Sequence, residues 1–152
     1  MALAQKLREG GLVVRNAQVA PGTLHAVVDG VRVSFLHYTY PLIGELAQPE
    51  GESFTLASLD DLACMKLAAV AQRGSRKDYV DVYALATRHK SLREMLELYQ
   101  RKYSTDDVLH VLIGLTYFDD ADEQPMPRMI WGVSWDEVKR NVSDWVKGIA
   151  DV

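Results

Sequence analysis

The chain has 152 residues, of which 48% are hydrophobic and one is cysteine, and its formal net charge is −4. That length and apolar share suit one domain with a real core and leave little room for a second. The lone Cys64 excludes an internal disulfide, and no apolar run approaches the ~20 residues that cross a bilayer, so a soluble protein of the reducing cytoplasm is expected. Residues 2–9 carry a helical pattern that Gly10-Gly11 ends. Leu12-Val13-Val14 reads as a strand. Residues 23–28 and 31–38 read as two more, joined by Asp29-Gly30, a pair suited to the positive φ angles of a type I′ turn. The three strands predict one antiparallel unit, with Val31, Val33 and Phe35 alternating against Arg32, Ser34 and Leu36 so that one face meets a core. The helix carrying Lys66 is expected to cover that face.

Beyond a sheet portion spanning residues 1–45, the pattern over 55–152 is helical. Ser58, Ser75, Ser91, Ser104 and Ser134 each precede an apolar-periodic stretch. Each has an acid three residues later (Asp61, Asp78, Glu94, Asp107, Glu137), the spacing at which a capping side chain meets the amides of a first helical turn. Five capped helices are predicted, with residues 119–127 as an acidic loop before the last. The predicted fold class is α+β: a small antiparallel sheet packed with about five C-terminal helices in a single domain, residues 1–152.

Charge in the helical part is uneven. Nine Lys/Arg and four Asp/Glu fall between Lys66 and Lys102, a local excess of five positive charges inside an acidic protein. Such a field attracts a nucleotide or an RNA backbone, and solvated helix faces produce it equally well. Lys66 stands out because it interrupts the apolar run from Leu62 to Ala71. Either its ammonium meets phosphate at the edge of a cleft, or its methylene stem covers apolar surface while the head reaches water. Arg73 follows two turns later, about 10 Å along nearly the same face. It offers a bidentate phosphate fork, or complements the helix C-terminal dipole before Gly74. Asp78 fits a capping partner for Ser75. Asp81, between Val80 and Val82, is expected to be partly buried and paired with Arg73, Arg76 or Lys66, because an unpaired buried carboxylate costs several kcal/mol.

Other residues predict packing. Cys64 lies within the apolar helix and reads as a small buried thiol. His25 and His37 on neighbouring strands lack a third ligand, and the Asp-x-Asp of Asp120 and Asp122 lies in a loop, so no metal site and no catalytic residue is assigned.

The pattern K-L-x-A-x-x-x-R-x-x-x-K-D-x-x-D-x-Y-x-L, running from Lys66 through Arg73, Lys77, Asp78 and Asp81 to Leu85, resembles the AbiEii/AbiGii toxin family of nucleotidyltransferase-like proteins. The likeness extends over about residues 22–145 and includes PGTLHAVVDGVRVSFLHYTYPLI and YFDDADEQPMP. It implies phosphate binding by Lys66, Arg73 and Lys77, with Asp78 and Asp81 in support. It implies Mg²⁺ and an NTP in a complete site, a nucleotide or tRNA as ligand, and a cognate antitoxin as partner in a toxin–antitoxin or abortive-infection setting. The family's Gly-Gly-Ser/Thr loop and strand Asp-x-Asp, which hold the metal, are expected to stand before Met1, and Ser34 falls where a further acid is common. The expectation is therefore a truncated, catalytically incomplete nucleotidyltransferase-like protein with no cofactor in this chain. The alternative is a non-catalytic interaction module or remnant of such a system. That reading predicts a homo-oligomer, because open strand edges and apolar surface are usually covered by association.

Overall fold

Two tight turns organise the first forty residues. Asp29 and Gly30 take φ angles of 48° and 84°, the positive pair required by a two-residue hairpin, and Val28 pairs with Val31 across them. Pro21 and Gly22 (φ 70°) make the other turn, joining Ala20 to Thr23. In the computed structural model, which describes residues 2–150, these turns connect an antiparallel sheet of order β1-β2-β3. Its strands are β1 (Val14–Ala20), β2 (Thr23–Val28) and β3 (Val31–Leu36). The first strand thus starts where the predicted Leu12-Val13-Val14 strand ends. A β-bulge explains why its polar stretch was not legible: Asn16 takes φ 50°, and between the Arg15–Val27 and Gln18–His25 pairs Asn16 and Ala17 oppose Ala26 alone.

Residues 2–39 form a compact unit of their own. Its core is Ala4, Leu24 and Ala26, with Leu7, Val14, Val28 and Val33 packed around them. Helix α1 (Leu3–Glu9) supplies cover for the sheet from within this unit. A seven-residue helix is only about 10 Å long, so it covers the middle of the sheet. Val31, Phe35 and Leu36 of β3 remain exposed, although Val31 and Phe35 share the alternating set with Val33 that was expected to meet a core.

Residues 40–150 form the second unit, an assembly of α2 (Leu59–Arg73), α3 (Arg76–Arg88), α4 (Leu92–Tyr103), α5 (Leu109–Thr116), α6 (Asp119–Asp122) and α7 (Trp135–Ala150). The class is α+β, as predicted. Helix α2 is central and packs against α3, α4 and α5, which leaves Ala63, Cys64 and Leu67 with no exposed surface. Burial pushes the Cys64 thiol up to about 11, so it stays protonated and inert at neutral pH.

Three of the five serines act as anticipated. Ser58 accepts from the Asp61 amide, Ser91 and Glu94 complete a capping box, and Ser134 accepts from the Glu137 amide at 3.1 Å. Ser104 instead ends α4 in the left-handed conformation (φ 50°), and the Asp107 carboxylate takes over the capping of α5 by accepting from Leu109 N at 2.9 Å. The predicted 119–127 loop begins with the single turn of α6. Arg76 explains it: its guanidinium donates to the carbonyls of Ala121 and Asp122 (2.8 Å each), groups that a helix end otherwise leaves orphaned. Among the described residues no helix is long and apolar enough to cross a membrane.

Candidate functional site

Gly74, at φ 51°, caps α2 in the left-handed conformation, and only Gly74 and Ser75 separate α2 from α3. This short connection sets Lys66 and Arg73 of α2 against Asp78 and Asp81 of α3. Asp78 is the centre of the cluster, with no exposed side-chain surface. Its two oxygens accept a bidentate pair from Arg73, Nε at 2.8 Å and Nη2 at 2.9 Å. The Ser75 hydroxyl also donates to it, and the Lys66 ammonium lies 3.5 Å away. Lys66 in turn sits 2.5 Å from Asp81, joining both carboxylates. Burial works to raise the Asp78 pKa. The hydrogen bonds from Arg73 and Ser75 and the charges of Arg73 and Lys66 outweigh it, so the carboxyl titrates below the ordinary range.

The expected pairing of Asp81 with Lys66 is present and Asp81 is partly buried as expected, but Asp78, read as a capping partner, is the more deeply buried acid. Asp81 is 45% exposed and Asp78 wholly buried. Helix geometry explains why the deeper acid was not legible: Val80 and Val82 point about 100° away from Asp81, so they do not rank it against Asp78. Ser75 likewise makes no capping bond to an amide, because its hydroxyl is spent on the Asp78 carboxylate. Arg73 is 58% exposed and Lys66 28%. Lys77 is exposed and lies outside the cluster.

Much of the local basic field proves to be consumed internally. Lys90 and His89 both bind Asp60 at 2.6 Å, Arg76 holds α6, and the Arg88 guanidinium lies 4.1 Å from the centre of the Trp131 ring. Lys102 is fully buried on Asp61 at 2.6 Å. That pair was not legible in sequence, where Asp61 counted as a helix cap and Lys102 as one cation of the basic field; nothing in their spacing joins residues 41 apart. What remains solvent-facing near the motif is the outer edge of Arg73, the Lys66 ammonium and Lys77.

The cluster does not fit a Mg²⁺ ion. Both Asp78 and Asp81 already carry cationic partners, whereas Mg²⁺ demands free oxygens in near-octahedral array. Elsewhere, Asp122 accepts from Trp135 Nε1 (2.5 Å) and Lys139 (2.9 Å), and His25 shares a 2.7 Å hydrogen bond with Ser34. Among the described residues no group of three or more His, Cys, Asp or Glu is placed to hold a metal.

A family model described as "Nucleotidyl transferase AbiEii toxin, Type IV TA system" matches residues 26–147. An uncharacterized protein of Aquifex aeolicus is 35% identical over 139 residues, a match that covers 88% of this chain and 66% of that protein. This chain therefore spans slightly less than two thirds of that relative. No solved structure matches.

Proposed function

The chain belongs to the AbiEii nucleotidyl transferase toxin family, and from that premise we propose that Lys66 and Arg73, held by Asp78, form the phosphate-contacting part of a nucleotidyltransferase-type site. The observation that carries this reading is the clamp itself. One buried carboxylate fixes two cations of α2 together while Arg73 remains more than half exposed. Arg73 spends Nε and Nη2 on Asp78, which leaves Nη1 as the donor edge for an incoming phosphate. Fixing a guanidinium in advance lowers the ordering cost of binding and favours planar contacts to phosphate oxygens. Asp81 is the exposed counter-ion that a phosphate displaces from Lys66, and Lys77 adds positive potential nearby.

Mg²⁺ supplies charge stabilisation in phosphate chemistry when it is bound, and this cluster has no free carboxylates for it. We therefore expect this chain alone to bind phosphate without transferring nucleotide, since contacts that hold ground and transition states equally do not raise turnover. An RNA such as tRNA as acceptor, a cognate antitoxin as partner and the cytoplasm as compartment are the expectations consistent with a toxin–antitoxin family. The test is to incubate the purified protein with Mg²⁺, each labelled NTP and bulk tRNA, and in parallel to titrate it with inorganic tripolyphosphate. The expected result is binding without label transfer. Transfer that disappears in Lys66→Ala overturns the non-catalytic reading, and an absence of tripolyphosphate binding overturns the phosphate contact.

A second reading, a self-associating interaction module, is favoured by a different observation. Val19, Val31 and Leu36, on the outer strands of the sheet, are 62–69% exposed, and β1 and β3 each have one ladder side unpaired among the described residues. Exposed apolar strands of this kind are usually covered by association. Light scattering at micromolar concentration is expected to give a dimer or larger species, and a strict monomer rejects this reading.

A further inference from the structure

The two free edges of the sheet differ. On β1 the bulge at Asn16 and Ala17, with Asn16 at φ 50°, breaks the ladder, and such a bulge keeps an edge from pairing further. Nothing blunts β3 in this way. Its residues pair with β2 in unbroken register from Val31–Val28 to Leu36–Thr23, it holds no proline, and Arg32 is its one charged residue. Ladder parity fixes where its backbone points. His37 N donates to Gly22 O at 2.7 Å, and hydrogen-bonded residues alternate along an antiparallel strand, so Val31, Val33 and Phe35 turn their N–H and C=O groups to β2. Arg32, Ser34 and Leu36 therefore turn theirs to the free side, and all three are exposed.

A two-fold axis perpendicular to the sheet sets β3 antiparallel to β3 of a second copy. Centred on Ser34, it gives the one register in which the three outward residues pair among themselves: Arg32 of each copy faces Leu36 of the other, and Ser34 faces Ser34, each pair exchanging two N–H···O bonds. The side chains agree with this register. Val33 of each copy lies opposite Phe35 of the other at a non-hydrogen-bonded site, the close spacing at which β-branched and aromatic side chains stabilise a sheet. On the opposite face the methylene stem of Arg32 covers the exposed Leu36 while its guanidinium reaches water. An axis centred on Arg32 instead sets two like charges opposite each other, which is destabilising. We propose that β3 pairs edge to edge with β3 of a second copy of this chain in the Ser34-centred register, joining two three-stranded sheets into one and closing as a dimer because the bulged β1 offers no further edge. The proposal rests on the self-association reading above and gives it an edge and a register. A strand about 20 Å long makes a small contact, so association in the micromolar range is expected.

Light scattering over a micromolar concentration series is expected to reach twice the mass of one chain. Ser34→Pro removes an N–H that faces outward, so the ladder to β2 keeps its bonds and the variant is expected to be folded by circular dichroism and monomeric. In Ser34→Cys the two introduced thiols belong to facing residues with Cα atoms about 5.5 Å apart, within disulfide range, and mild oxidation links them into a covalent dimer. Arg32→Cys, about 14 Å from its own copy in this register, does not link. The native Cys64 is buried and takes no part. In the unmodified protein the amides of Arg32, Ser34 and Leu36 are expected to exchange at least tenfold more slowly at the concentrated end of the series than at the dilute end. A strict monomer overturns the self-association reading and the proposal with it. A dimer that survives Ser34→Pro, or one that Ser34→Cys fails to cross-link, overturns the β3 pairing and leaves self-association through another surface standing.

Discussion

Asp61→Ala is expected to lower folding stability by about 3–5 kcal/mol, the cost of removing one partner from a buried ion pair. Asp61 and Lys102 have no exposed side-chain surface and meet at 2.6 Å. The same carboxylate accepts from the amides of Ile43 and Gly44 at 3.0 Å each and from the Ser58 hydroxyl at 2.6 Å, while Lys102 also donates to the Pro41 carbonyl at 2.6 Å. One side chain thus ties residues 41–44 to the start of α2 and the end of α4. The fit is close enough that a Cβ on Gly44 would collide with the Ser58 hydroxyl. Alanine leaves a buried ammonium without its carboxylate and two amides without an acceptor. The double variant Asp61→Leu/Lys102→Met is expected to lose less than the two single variants added together, because an apolar pair carries no desolvation cost. Urea midpoints of the three variants at neutral pH check this, and an Asp61→Ala protein within about 1 kcal/mol of wild type contradicts it.

The same pair sets an acid limit. Burial raises the Asp61 pKa, but Lys102, Ser58 and the amides of Ile43 and Gly44 outweigh it and hold the carboxyl far below its ordinary value of 3.8. Asp78 is lowered as well. As pH falls, the unfolded chain takes up these protons before the folded one does, so the stabilisation is complete above about pH 5 and drains away as pH drops toward the folded values. Urea midpoints measured from pH 7 to pH 3 are expected to fall on the acid side, and to fall less steeply in the Asp61→Leu/Lys102→Met variant.

Asp78→Ala is expected to cost about 2–3 kcal/mol and Asp81→Ala less than about 1 kcal/mol, although both acids contact the same lysine. Asp78 is fully buried and holds Arg73, Ser75 and Lys66, whereas Asp81 is 45% exposed with Lys66 as its ion-pair partner. Losing Asp78 costs less than losing Asp61 because its cations reach solvent and rehydrate, Arg73 most of all at 58% exposure. Asp78→Ala is also expected to weaken tripolyphosphate binding by releasing Arg73 from its fixed orientation, an effect Asp81→Ala does not share. Equal denaturation midpoints for the two variants reject the assignment of Asp78 as the centre.

The hairpin at Asp29-Gly30 was legible because positive φ at two successive positions leaves few residues to choose from. The start of α2 and the whole of α4 were legible through Ser58 and Ser91, whose acids stand at the spacing a first turn requires. The Lys66-to-Leu85 pattern was legible too, as a family resemblance that the match over residues 26–147 supports. Less was legible where one signal has two readings. Ser104 has the same Ser-x-x-Asp spacing as its neighbours yet closes α4, and β1 hides behind a bulge that breaks its alternation.

The sequence alone determined what depends on neighbours within about one turn: hairpin turns, most caps, the inert Cys64 in its apolar run, and the presence of two cations on one face of α2. Only the tertiary structure decided which charge is buried and with whom. Asp78 rather than Asp81 became the centre because α2 and α3 close over it, and Lys102 met Asp61 across 41 residues because α4 packs on α2. The physical reason is that local conformation is set by steric and capping preferences over three or four residues, whereas desolvation acts on whatever the fold brings together, however far apart in the chain.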